Sequence, residues 1–593
     1  MGFAKLYHHH LDHDDHHPES ACQCDCCSTK KATSLRNKLI PSRSYSVLAL
    51  FSVLFLVLLV PNTRATVVQT KIGKIRGLEE ETPTNVKYYA FKGIRYASAP
   101  VKELRFKEPR PIPAWEGILD GTRDGPACPQ LHIATNKVIG QEDCLTLNVY
   151  TTDLETLKNV MVFIHGGGFI TGTASSLLYG PDYLMNENVV VVSIQYRLGV
   201  FGFLSTETKD ATGNWGLFDQ IEALKWVKAN IASFGGDPEK ITLVGEGAGA
   251  ASASLLTFIP RTKGLYRNVI ALGGTALNSQ YFQRNPVESA RELVSRLKCP
   301  YDDFSELVEC LRKEEMTVLV KEMNNMLNFF SFPRWFAPSV DNILLSKTPE
   351  ELLKEGQLSK VPVLTGVSRH EGAFYYPLTV NSFNDGKYDG NFIDQRVPRL
   401  LPIISEFESK LFPITKAVKK RYFTNVDMEN EDEFRPRYVE FLTDLLFTRF
   451  SSLYGNGLAN HSVPVYFYVL DYYGTNGIMS IIGDTDMKTI AHGDILQYIF
   501  TQVLGEGNHL PSDDLEFATK TFIPLLVNFA KTSNPTPSPG AFGGVSWPKF
   551  NGEDQTACLI GSKLSLQPQF RSTILKFWSE DIRKLVGPKK DEL

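Results

Sequence analysis

Ile241-Thr242-Leu243-Val244-Gly245-Glu246-Gly247-Ala248-Gly249-Ala250-Ala251-Ser252 is the stretch on which the fold turns. Its first four residues form a short apolar, β-branched run that reads as a buried strand. A glycine-flanked turn follows at once, and then a series of alanines and serines small enough for a helix to pack close against a sheet. Strand, sharp turn and helix in this order form a nucleophile elbow, in which G-x-S-x-G holds a serine on a strained turn at the sheet edge. The central position here is Gly247, which has no side chain.

Outward from the elbow, residues 160–164 and 189–194 are β-branched runs of the kind that central strands need when both faces are buried. Residues 67–70 and 71–76 read as an opening hairpin. Asn214 to Gln220 lead into a helical pattern that continues to Ile231, just before the elbow strand. Strands alternating with helices predict an α/β fold with a large, mostly parallel central sheet covered by helices on both faces. Helical patterns dominate 286–326 and 399–460. Four prolines make 532–548 a surface loop, and 570–585 reads as a last apolar helix.

Further segments fall in order along the chain: Glu142-Asp143-Cys144-Leu145-Thr146-Leu147-Asn148, His165-Gly166-Gly167-Gly168-Phe169, residues 213–220, Phe234-Gly235-Gly236-Asp237-Pro238, Arg369-His370-Glu371-Gly372 and His492-Gly493-Asp494. With the elbow, these make the chain resemble type-B carboxylesterases, cholinesterases and their non-enzymatic relatives over nearly all of 67–585, and so imply an α/β-hydrolase fold. The resemblance implies that Glu371 is the triad acid and His492 the general base, in the chain order usual for that fold. It makes His165 to Gly168 an oxyanion loop, with the N–H groups of Gly167, Gly168 and Ala248 as donors to a developing oxyanion. His370 is read as structural and His165 as a support for the loop. A glutamate or histidine taken at random usually sits on the surface; the flanking matches reverse that for Glu371 and His492.

Gly247 changes what such a site can do. The mechanism needs an oxygen that attacks the acyl carbon while histidine removes its proton. Losing that oxygen costs roughly a millionfold in rate, leaving about 10³–10⁴ over water. Ser252 and Ser254 lie beyond the turn, on the helix, where they are expected to be packed away. The main expectation is therefore a catalytically inactive carboxylesterase-like protein that keeps a scaffold for a small acyl-ester or lipid ligand, or for a partner. One alternative is a weak ester hydrolase in which His492 and Glu371 activate water. Another is an adhesion protein, as some relatives without the serine are.

The resemblance also pairs Cys128 with Cys144 and Cys299 with Cys310, leaving Cys558 as a buried free thiol. Cholinesterases carry a tryptophan in the first of these loops that stacks on a quaternary ammonium. None lies between Cys128 and Cys144, which disfavours choline esters. Asn460-His461-Ser462 is a glycosylation sequon.

The two ends bear on location. Residues 1–44 form a polar tail with His8, His9, His10, His13, His16, His17 and Cys22, Cys24, Cys26, Cys27. It is read as disordered, either a leader lost at processing or a segment that binds metal adventitiously or is palmitoylated. No spacing in it matches a zinc template, so no metal or cofactor is assigned. Residues 45–60 are apolar and uncharged, preceded by Lys30, Lys31, Arg36, Lys38 and Arg43. The 45–65 segment is thus a cleaved signal peptide or a retained anchor, and either places the 66–585 domain in the lumen. Membrane contact is expected only if the anchor stays. The tail 586–593 ends in Lys590, Asp591, Glu592 and Leu593, an address read by the endoplasmic reticulum retrieval receptor. Net charge is −4 with no basic run beyond the tail, which argues against nucleic acid.

Overall fold

The computed structural model describes residues 64–132, 135–326, 336–380, 391–401, 410–475, 477, 488–502 and 510–586. The histidine and cysteine tail, the 45–60 apolar run and the final Lys-Asp-Glu-Leu lie outside them. Among the described residues no helix is long and apolar enough to cross a membrane.

Twelve strands form one path across the central sheet. In chain order they are β1 (Ala65–Gln69), β2 (Lys74–Glu81), β3 (Lys87–Arg95), β4 (Thr146–Thr151), β5 (Lys158–Ile164), β6 (Val190–Ile194), β7 (Gly236–Glu246), β8 (Asn268–Leu272), β9 (Val363–Ser368), β10 (Val465–Leu470), β11 (Ala557–Ile560) and β12 (Leu564–Gln567). Their spatial order is β1-β2-β3-β4-β6-β5-β7-β8-β9-β10-β11-β12, with the short strand Ile118–Asp120 added in parallel beside β2. The run from β6 to β11 is parallel throughout. Antiparallel pairs close both edges, β1 to β4 on one side and β12 on the other. The opening hairpin and the mostly parallel sheet are thus as the pattern of the sequence predicts.

Buried strands alternate their side chains between two cores, as the period of two requires. On β5, Val160, Val162 and Ile164 point to one core and Met161 and Phe163 to the other. On β10, Val465, Phe467 and Val469 join the first, and Tyr466, Tyr468 and Leu470 the second. Helix α1 (Trp215–Asn230) covers the first face with Leu217, Ile221, Leu224 and Val227, next to α2 (Ala248–Leu255). Phe517, Phe522, Leu525 and Phe529, from the helical stretch that follows residue 511, cover the second.

Two helical expectations need correction at their edges. The 399–460 pattern resolves into Leu411–Tyr422, α3 (Glu431–Thr443), the π-helical turn Asp444–Thr448 and α4 (Arg449–Asn460). The last helix begins at Ser572, two residues later than its apolar run, and a further π turn, Phe577–Asp581, interrupts it. Apolar periodicity over these short segments does not mark a π turn, which adds only one residue to a cycle within an otherwise α-helical run. The 532–548 loop runs over the surface but is pinned at Trp547, which is buried and whose N–H donates to Thr536 Oγ1 (2.8 Å).

Both expected disulfides are formed, Cys128–Cys144 and Cys299–Cys310. Cys558 is a free cysteine buried in β11, and burial pushes its thiol up to about 12.

Candidate functional site

Sheet register brings the site together. Gly245 on β7 pairs with Ile164 on β5, so the loop that follows β5 stands beside the turn that follows β7. On the other side Glu246 pairs with Leu272 of β8, and the N–H of Gly247 donates to Leu272 O (2.9 Å). All these loops leave the C-terminal ends of parallel strands, the edge where open α/β sheets gather their ligand sites.

The elbow is compact because it is built from small residues. A side chain at Gly249 would begin 2.0 Å from Ile164 O, so only glycine lets α2 approach β5 this closely. Gly247 takes φ 57° and ψ −118°, a backbone conformation that residues with side chains adopt only under strain. The point where its Cβ would sit is 2.9 Å from His492 Nε2 and 3.6 Å from Tyr281 Oη.

His492 is brought to this point from a distant part of the chain. Its Nδ1 lies 2.7 Å from Glu371 Oε2. Glu371 is buried just after β9, and the N–H of Ser368 donates to its other oxygen (2.6 Å). The next residue, Gly372, donates its N–H to Thr443 Oγ1 (3.0 Å), tying this segment to the end of α3. Asp494 Oδ2 accepts from the N–H of Ala491 (2.6 Å) and so closes the turn that carries His492. Phe447, from the π turn, packs on the imidazole with ring centres 4.8 Å apart, and Phe374 approaches it at 5.9 Å.

The opposite nitrogen, Nε2, lies 3.3 Å from Glu246 Oε1, a charge contact without hydrogen-bond geometry. Glu246 is buried, and burial pushes its carboxyl up to about 6; Glu371 acts in the same direction and His492 partly opposes both. The imidazole therefore stands between two buried carboxylates.

Gly167 and Gly168 have φ of 98° and 63°, and Phe169 after them is also left-handed at 65°. His165 supports this loop: its Nδ1 is 2.9 Å from Gly166 O and its ring stacks on Tyr196 at 4.5 Å. Burial pushes its imidazole down to about 4, which keeps it neutral at pH 7. Ala248 is the first residue of α2, where backbone N–H groups have no intrahelical acceptor. The His370 ring packs beside Tyr473 (5.9 Å), and burial pushes it down to about 4 as well. Ser252 is buried and accepts from Gln220 Nε2 (2.9 Å), while the Ser254 hydroxyl donates back to Ala250 O and Ala251 O (both 2.9 Å). Both hydroxyls serve helix packing.

Residues 64–578 match the model of the carboxylesterase family. The chain belongs to the carboxylesterase family. Neuroligin-3 of Mus musculus is 30% identical over 575 residues, covering 87% of this chain and 68% of that protein. Neuroligin-2 of Homo sapiens matches with the same identity and coverage. Esterase E4 of Myzus persicae is 34% identical over 494 residues, covering 79% of this chain and 86% of that protein. Proteins with both kinds of name are thus similar to one carboxylesterase-family chain.

Two residues of this carboxylesterase-family site escape a reading by motif. Glu246 stands inside the elbow, but its contact with His492 depends on how the 492 loop folds back. Tyr281 belongs to no motif. The available signal was its place in the first loop after the strand next to the elbow, and that signal requires the sheet order.

Proposed function

We propose that this carboxylesterase-family chain acts in the lumen of the secretory pathway as a ligand- or partner-binding protein, without the covalent turnover of a serine esterase. The observation that carries the reading is the alignment of Glu371 and His492 on Gly247. The pair is in hydrogen-bond contact at 2.7 Å, and Nε2 faces the start of a side chain that does not exist. In this reading Glu371 orients His492, the N–H groups of Gly167, Gly168 and Ala248 hold a ligand carbonyl oxygen, and no oxygen is available at Gly247 to attack it. The ligand class that suits such a site is a small acyl ester or a lipid ester. No cofactor enters the scheme.

The test is hydrolysis of a simple aryl ester by the purified protein beside its Gly247→Ser variant. The natural chain should show no acyl-enzyme burst at esterase-like rates, and the variant should gain one. His492 crowds the new side chain at 2.9 Å, so the variant's ring must retreat by a few tenths of an ångström. Its kcat should therefore stay below that of an ordinary serine esterase. Burst kinetics from the natural chain at esterase-like rates would overturn the reading.

A second reading, slow hydrolysis by water, is supported by the same intact Glu371–His492 contact. It predicts linear turnover without a burst, lost in His492→Ala. A role in adhesion is the third, and surface labelling of intact cells separates it from lumenal retention. Lys590, Asp591, Glu592 and Leu593 support retention through the endoplasmic reticulum retrieval receptor. Deleting them should release the protein into the medium, unless the 45–65 segment is kept as an anchor. Asn460 ends α4 on the surface, where a glycan could be attached.

A further inference from the structure

We propose that Tyr281 supplies the hydroxyl that the elbow lacks, as a slow acceptor of acyl and phosphonyl groups next to His492. The proposal rests on the reading that the site still admits an ester. A Cβ at Gly247 would lie 2.9 Å from His492 Nε2 and 3.6 Å from Tyr281 Oη. The phenol oxygen and the imidazole nitrogen are thus both within 3.6 Å of the one point from which a serine hydroxyl would extend.

The turn that carries the phenol is held by hydrogen bonds. Tyr281 ends the short 3₁₀ turn Ser279–Tyr281 in the loop after β8, and β8 is the direct neighbour of the elbow strand. Its N–H donates to Asn278 O (2.9 Å). Asn278 in turn accepts from the N–H and hydroxyl of Thr275 (2.8 and 2.9 Å) and donates to Leu446 O (2.6 Å) in the π turn. The ring is buried and meets Phe169 of the 165–169 loop edge-on at 6.3 Å. Next to it, Gln280 is fully buried, and neither of its amide atoms has a hydrogen-bond partner among the described residues. Buried polar groups are nearly always paired, so this turn carries polar capacity that the fold itself does not use.

The chemistry balances. His492 Nε2 takes the Oη proton as Oη bonds to the acyl carbon; the ester C–O bond breaks, and the departing alkoxide leaves as the alcohol with that proton. Water, deprotonated by the same imidazole, then cleaves the acyl-tyrosine to a carboxylic acid and restores the phenol. Tyrosine is among the side chains that form covalent intermediates. With a fluorophosphonate the Oη–P bond forms, the P–F bond breaks, fluoride leaves and His492 keeps the proton.

The experiment treats the purified full chain with a fluorophosphonate probe and locates the adduct by peptide mass spectrometry. The expected result is one adduct per chain, on Tyr281. Tyr281→Phe should abolish it, and His492→Gln should slow labelling roughly a hundredfold, the usual contribution of a general base. The Gly247→Ser variant should shift the adduct to its new serine. A natural chain that stays unlabelled, or is labelled at another residue, overturns the proposal. If Gly247→Ser is nevertheless labelled at its serine, the ester-site reading stands and only Tyr281 fails. If that variant also stays unlabelled, both fall together.

Discussion

Gly247 and Glu246 are neighbours in the chain with opposite electrostatic and steric demands. Glycine at φ 57° needs no compensation. Glu246 does, because its carboxylate is buried against His492 and near Glu371. Its carboxyl is raised from the ordinary 4.5 to about 6 in the folded chain. A raised acid contributes stability that is present in full below pH 4.5 and lost as the pH climbs through about 6. At pH 7.5 the folded state thus bears a cost of about 2 kcal/mol from this carboxylate. Glu246→Gln should raise the unfolding free energy by about that amount at pH 7.5, with the gain vanishing near pH 4.5. Unfolding curves of both proteins across this range would check it, and a gain independent of pH would refute the assignment. The burial of Glu246 could not be read from the elbow motif, which names the residue without saying what folds over it.

At the scale of elements, the break between α3 and α4 organises one wall of the site. The π turn Asp444–Thr448 places Phe447 on His492 and exposes Leu446 O to Asn278. It also buries Asp444, whose Oδ2 accepts from Tyr422 Oη and from Arg571, both at 3.1 Å. Trp578 Nε1 donates to the same Tyr422 oxygen (3.0 Å), and Arg571 reaches Glu440 as well (3.1 Å). This cluster fastens the last helical stretch to α3. Burial pushes the Asp444 carboxyl up to about 6; Arg571 opposes the shift and Glu440 adds to it. Arg571→Leu should cost about 3 kcal/mol at pH 7.5, because it strands a buried carboxylate. The cost should shrink as the pH falls, since protonated Asp444 no longer needs the guanidinium. Chemical denaturation at two pH values measures both. The helices around this cluster were legible as apolar stripes, but the π turns were not. They add one residue to a helical cycle, a change that shows only when the residues on either side must meet fixed partners.

Over the whole molecule the two disulfides differ in setting. Cys128 and Cys144 are both fully buried in the main core, whereas Cys310 is only partly covered. Reductant should therefore open Cys299–Cys310 first, and timed alkylation followed by mass spectrometry would show the order. Each bridge closes a short loop, spanning 16 and 11 residues, and its loss should lower stability by about 2–3 kcal/mol. By itself the sequence determined what is local: the buried strands, the elbow, the glycine where a hydroxyl would be needed, and the order of the motifs. These follow from patterns of two to ten residues, and backbone sterics and apolar periodicity act over that range. Only the tertiary structure decided what meets at Gly247. His492, Glu246, Tyr281 and Phe447 come from four separate stretches of the chain, and their distances depend on sheet order, strand register and one π turn. Those are set by packing between elements far apart in sequence, which no local pattern encodes.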